Sequence, residues 1–193
     1  MQTNIFETFL DAIIAIIMTV LVLKIPQPAT PTLNGILELQ TIYIAYLISF
    51  LILFNVWYSN HNLFHIIDEI DNNAVWIYGI MTFILTLLPY FTIWVARNVN
   101  SIPSETMFGL IFILTHILNT IAERLIYKSN PYNKTLKERH NNSILTHIPL
   151  IGILIGFILT YTIYRPGIYI SCLFAILLWI IINRHIRRQS HGK

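Results

Sequence analysis

Apolar residues fill six windows of the chain, approximately Ile5 to Ile25, Ile36 to Tyr58, Ala74 to Ala96, Thr106 to Tyr127, Ile144 to Tyr164 and Gly167 to Asn183. A helix needs about 20 residues to cross a hydrocarbon core about 30 Å thick, so the pattern predicts six transmembrane helices in a single domain, residues 1–193. The links between windows are short and leave no room for an inserted soluble domain. Pro26-Gln27-Pro28-Ala29-Thr30-Pro31 reads as an extended link, and the longest polar linker runs from Lys128 to Asn142. Pro89 in the third window predicts a kink of the kind membrane helices tolerate. Gly152 and Gly156 in the fifth have the spacing that lets two helix backbones approach closely.

Wound as a helix, the first window places Ala12, Ile16, Thr19 and Leu23 on one stripe, at spacings of four, three and four. Asp11 lies on another face. A carboxyl group in hydrocarbon costs several kcal/mol unless partnered, so Asp11 marks a functional or assembly site. At the end of the second window Trp57, His61, Phe64 and Asp68 recur at the same helical spacing and at the depth of Asp11. A pairing of Asp11 with His61 or Trp57 is the expected way to satisfy the carboxylate.

Composition sharpens the class. With 55% hydrophobic and 11% charged residues, the chain is a polytopic membrane protein. The first run lacks a basic leader segment and is followed by Lys24 and Pro26, so it is expected to be a retained helix and not a cleaved signal. The second, fourth and C-terminal connections hold Arg124, Lys128, Lys134, Lys137, Arg139, Arg184, Arg187, Arg188 and Lys193; the others hold only Lys24, Arg97 and Arg165. That asymmetry puts both termini in the cytoplasm. The basic tail is a topology determinant that touches anionic lipid, and no nucleic-acid partner is implied. A single cysteine, Cys172, excludes an intrachain disulfide. No Thr-Val-Gly-Tyr-Gly filter loop, arginine ladder, phosphate-binding glycine loop or internal repeat is present.

The histidines raise two other classes. His61 and His65 stand four apart, a spacing that binds metal from one helix face, with Asp68 and Glu69 nearby. Neither a thiolate nor another close histidine completes the set, so a structural hydrogen bond for His61 and an interfacial place for His65 are expected, with no metal. A membrane-embedded hydrolase or metalloenzyme would draw on His61, His65, His116 and His147, yet no nucleophile is paired with a base at useful spacing. A proton-coupled carrier would use Asp11 and His61 as a relay. The acidic residues Asp68, Glu69 and Asp71 at the cytoplasmic mouth would concentrate cations.

Phe9-Leu10-Asp11-Ala12, followed by Ala15-Ile16 and Thr19-Val20-Leu21-Val22-Leu23, resembles the first helix of the transmembrane protein 175 family of potassium channels. That family carries Arg-x-x-x-Phe-Ser-Asp-Ala there and Trp-x-x-His-His-x-x-Phe in its second helix, where this chain has Trp57-Tyr58-Ser59-Asn60-His61-Asn62-Leu63-Phe64. The resemblance implies an all-α potassium channel of the cell membrane, without a re-entrant pore loop or cofactor, assembled as a homotetramer of single-repeat subunits. It implies a pore lined by first helices, with the apolar constriction at Ile16, the pore threonine at Thr19 and the next pore-facing position at Leu23. Phe9, Asp11, Trp57, His61 and Asp68 would form the structural polar network. Three positions depart from the motif: Ile5 replaces its arginine, Leu10 its serine and Asn60 the first histidine of its pair.

Overall fold

In the computed structural model, which describes residues 3–67, 69–141 and 148–178, every regular element is a helix, and no strand runs among the described residues. The helices are α1 (Thr3–Leu23), α2 (Leu33–Leu37), α3 (Gln40–Phe64), α4 (Asn72–Thr86), α5 (Leu88–Arg97), α6 (Ile102–Ser129), α7 (Lys134–Asn141), α8 (Ile148–Thr162) and α9 (Gly167–Leu178). Among the described residues, four spans are long and apolar enough to cross a membrane: α1, α3, α4 with α5, and α6. The fifth and sixth windows appear as the shorter apolar helices α8 and α9. The start of the fifth window, the end of the sixth, Asp68, His147 and the basic tail lie outside the described residues.

Three boundaries correct the sequence reading. The helix expected to end at Tyr58 continues as α3 to Phe64, because Asn62 turns its amide back to Tyr58 O at 2.6 Å while Leu63 and Phe64 are buried. Its predicted start instead forms the separate α2, capped by Thr32 Oγ1 accepting from Gly35 N at 3.2 Å. The polar linker contains α7, whose first turn is capped by Asn133 Oδ1 and anchored by the buried Leu136.

The third span is two helices broken at Leu87, and Pro89 is the cause. Its ring has no N–H for the carbonyl of Leu85 and crowds the preceding turn. Around the break Thr82, Thr86 and Thr92 donate their hydroxyls to Tyr78 O, Phe83 O and Leu88 O at 2.6–2.7 Å. The Thr92 hydroxyl also lies 2.7 Å from that of Ser49, a buried polar link between α5 and α3.

α4 packs most extensively on α6, α3 on α5, and α1 on α3. Leu10, Ile14, Ile48, Leu53, Met81 and Leu85 lie in the core between them. At one end of the bundle Asn130 and Asn133 donate to the carbonyls of Glu69 and Ile66, joining the α6–α7 turn to the α3–α4 loop. At the other, Tyr169 Oη donates to Thr41 O at 3.1 Å.

α9 is held by small residues and side-chain caps. A Cβ on Gly152 would meet that of Ala175 at 3.0 Å, and one on Gly156 would collide with Ser171, so the glycine pair seats α8 against α9 as its spacing predicts. The first-turn N–H groups of α9 have no partners within their own helix. Ile168 N donates to Thr160 Oγ1 at 2.9 Å and Tyr169 N to Glu105 Oε2 at 2.8 Å. Two neighbouring helices thus cap a third.

Candidate pore helix and its polar anchor

α1 has two faces. Thr3, Phe6, Leu10, Ile14, Ile17 and Leu21 are buried against the rest of the bundle. Roughly 140° around the helix, Ile5, Phe9, Ala12, Ile16, Thr19 and Leu23 form an exposed stripe along its whole length. Ile16 is 60% exposed and Leu23 79% exposed. The stripe found from spacing is therefore turned away from the subunit's own core, and it reaches back to Phe9 and Ile5. Phe9 belongs to that exposed row, touching Phe6 at a ring separation of 6.5 Å. Thr19 Oγ1 donates to Ile16 O at 2.8 Å. With its one proton committed to the helix, the hydroxyl oxygen keeps acceptor capacity facing outward.

The polar anchor at the N-terminal end of α1 involves a different carboxylate from the one singled out in the sequence. His61 Nδ1, sealed from solvent, lies 2.7 Å from Glu7 Oε1. Asp11 is only partly buried and makes no hydrogen bond or ion pair with a described residue. The reason is rotational: Glu7 sits about 60° from the centre of the buried face of α1 and Asp11 about 100° from it. α1 and α3 pack together, and the extension of α3 to Phe64 carries His61 to the level of Glu7.

His61 is fixed on its other sides as well. Trp57 stacks on it with ring centroids 5.3 Å apart and planes 17° from parallel. His65 Nε2 stands 3.1 Å from His61 Nε2, and the two rings meet edge to face. Asn60, one of the departures from the family motif, is buried and accepts from Tyr78 Oη at 3.4 Å. Tyr78 in turn packs edge to face on Phe64 and against Phe6, so an aromatic box closes the α1–α3–α4 junction. Of the expected network, Trp57 and His61 are joined, Phe9 and Asp11 lie outside it, and Asp68 is outside the described residues.

Glu7 and Glu105 are the residues that sequence reasoning missed. Glu7 lies one turn before Asp11 at the head of the first window, where a carboxylate ordinarily reads as an interfacial group. Glu105 lies just outside the fourth window, yet is fully buried because α9 closes over it.

Comparison with known proteins bears on the same stretch. The sequence model of the family described as endosomal/lysosomal potassium channel TMEM175 matches residues 6–89, from the buried face of α1 to the break at Pro89. A potassium channel of Chryseobacterium sp. (strain P1-3) is 25% identical over 184 residues, covering 95% of both chains. One of Chamaesiphon minutus is 28% identical over 95 residues, 46% of this chain and 47% of its own. The crystal structure of a lysosomal potassium-selective channel TMEM175 homolog from Chamaesiphon minutus superposes with a TM-score of 0.67 at 20% identity, over 92% of this chain and 96% of that one. The chain is thus similar to the TMEM175 family from α1 to the start of α5, where the paired helix motifs lie, and shares the fold of the Chamaesiphon channel along nearly its whole length.

Proposed function

We propose that this protein is a potassium-selective cation channel of the cell membrane, a homotetramer of six-helix subunits with cytoplasmic termini, in which four α1 helices surround the pore. The observation that carries the reading is the unbroken exposed stripe of α1, set opposite a face that is buried within the subunit. The names of the relatives support potassium as the permeant ion. They are channels by name, and the enzyme reading falls away with them.

In such an assembly Ile16 forms a narrow apolar ring that closes the path by excluding water, and Leu23 forms a second. Thr19 lies between, about 4.5 Å along the axis from Ile16 and about 6 Å from Leu23. Its outward lone pairs replace part of the hydration shell of the ion. Four hydroxyls give a weaker field than stacked carbonyls, so the preference for potassium over sodium is modest. Opening requires the α1 helices to rotate or separate. Asp11 lies off the pore-facing stripe and fixes α1 against its neighbours in the assembly, while Trp57 and His61 hold it within the subunit.

The carrier alternative needs Asp11 and His61 to exchange a proton; His61 faces Glu7 instead, which favours the channel. The test is flux through purified protein in liposomes with potassium, sodium or no gradient, for the native chain and Ile16→Asn. Potassium-preferring flux that rises in the variant supports the apolar gate. Flux that follows only an imposed proton gradient overturns the channel in favour of the carrier, and flux that is unchanged in Ile16→Asn removes Ile16 from the pore.

A further inference from the structure

Glu7 from α1, His61 from α3 and His65 at the C-cap of α3 each present a ligand atom within 4.8 Å of the other two. We propose that they form a binding site for a divalent transition-metal ion such as Zn2+, with Nε2 of both histidines as direct ligands and Glu7 holding His61 from its far side.

The spacing of the two nitrogens is the first argument. Ligands on a tetrahedral zinc with Zn–N bonds of about 2.0–2.1 Å are about 3.3–3.4 Å apart. The two Nε2 atoms stand 3.1 Å apart, so a slight turn of the exposed His65 ring admits an ion between them. Both histidines come from one helix face at a separation of four, the arrangement that lets a single helix offer two imidazoles to one metal.

The second argument is the tautomer. With the Glu7 carboxylate 2.7 Å from Nδ1, electrostatics favour the proton of a neutral His61 on Nδ1, which turns the Nε2 lone pair toward His65 Nε2, the contact an ion would replace. A carboxylate behind the remote nitrogen is the outer-shell contact that orients metal-binding imidazoles and raises their basicity. Trp57 stacked on the ring restricts its rotation, and the exposure of His65 supplies an entry path. The remaining coordination positions are open to water. Glu7, which comes from another helix and supports His61 from behind, is the member of the group that the spacing of His61 and His65 does not reveal.

Metal on Nε2 would polarise the His61 ring and strengthen its Nδ1 contact with Glu7, which clamps the N-terminal end of α1 to α3 through that second contact. This consequence, unlike the binding itself, rests on the pore reading: if α1 must move for the path to open, the clamped state conducts less.

Calorimetric titration of the purified, tag-free full-length protein with Zn2+ tests the site. One ion is expected per chain, with affinity weakened about 10- to 100-fold by Glu7→Gln and this site lost in His65→Ala, a substitution at an exposed position. Absence of a stoichiometric ion in the native chain, or unchanged binding in His65→Ala, overturns the site, the latter assigning the ion to other groups such as the tail histidines. In liposomes Zn2+ is expected to reduce flux through the native chain and to leave His65→Ala at its own zinc-free rate. Stoichiometric binding without any effect on flux overturns the clamp. Absence of flux in every variant overturns the pore reading, while the titration still decides the metal site.

Discussion

Thr160→Val removes one hydrogen-bond acceptor at nearly constant shape, and the loss falls at the N-terminus of α9. Thr160 is 3% exposed and its Oγ1 receives the Ile168 N–H at 2.9 Å. Valine leaves that N–H buried with no acceptor, a loss of about 1–3 kcal/mol. At about 1.4 kcal/mol per tenfold, the population in which α9 is detached from α6 and α8 rises roughly 5- to 150-fold. A reporter is already present: Cys172, the single cysteine, lies one turn into α9 and is 1% exposed. Its rate of modification by a small maleimide in detergent micelles, under conditions where reclosing outpaces labelling, follows the detached population. The expected result is faster labelling of Thr160→Val by the stated factor, with helicity unchanged. Labelling within twofold of the native rate would refute the idea that Thr160 caps α9, and would mean that the Ile168 N–H is satisfied from elsewhere or that apolar packing alone holds the helix.

Two further perturbations probe the same framework. Gly156→Leu should separate α8 from α9, because even a Cβ there collides with Ser171, whereas Gly79→Ala, with open space around its Cβ, should be neutral or gain a few tenths of a kcal/mol to about 1 kcal/mol from better helix propensity. Thermal unfolding in one detergent compares the two, and equal melting temperatures would contradict the packing described. Ser49→Ala should destabilise by about 0.6 kcal/mol and by no more than about 2 kcal/mol, the range for hydrogen bonds between membrane helices. A Ser49/Thr92 double-mutant cycle measures this, and additive single effects would show that their 2.7 Å contact has no coupling energy.

What the sequence made legible is what depends on local periodicity. The α1 stripe, the break at Pro89 and the glycine face of α8 each follow from spacing or from a residue's own chemistry, and each lies where the pattern puts it. The choice between Glu7 and Asp11 was not legible in this way. Both carboxylates sit on one side of α1, and which reaches His61 depends on how the helix is rotated against α3, a property of the packed pair. The end of α3 was misplaced for a related reason. Ser59 to Asn62 read as a polar exit from the membrane, whereas Asn62 satisfies itself on the helix backbone and Phe64 returns to the core. Glu105 was invisible because the group that makes it structural lies in another helix.

That last contact also fixes an order of events during synthesis. Glu105 and the N–H it receives are 64 residues apart in the chain. At about 5–20 residues per second, the ribosome takes about 3 to 13 s to make the segment between them. Throughout that interval α6 carries a carboxylate whose native donor has not been made. The four long spans described above can insert and associate early, but the pocket around Glu105 stays unfinished until α9 arrives. A chain arrested before Tyr169 therefore exposes an acidic defect within an apolar bundle, a mark by which quality-control machinery can distinguish an incomplete subunit from a finished one.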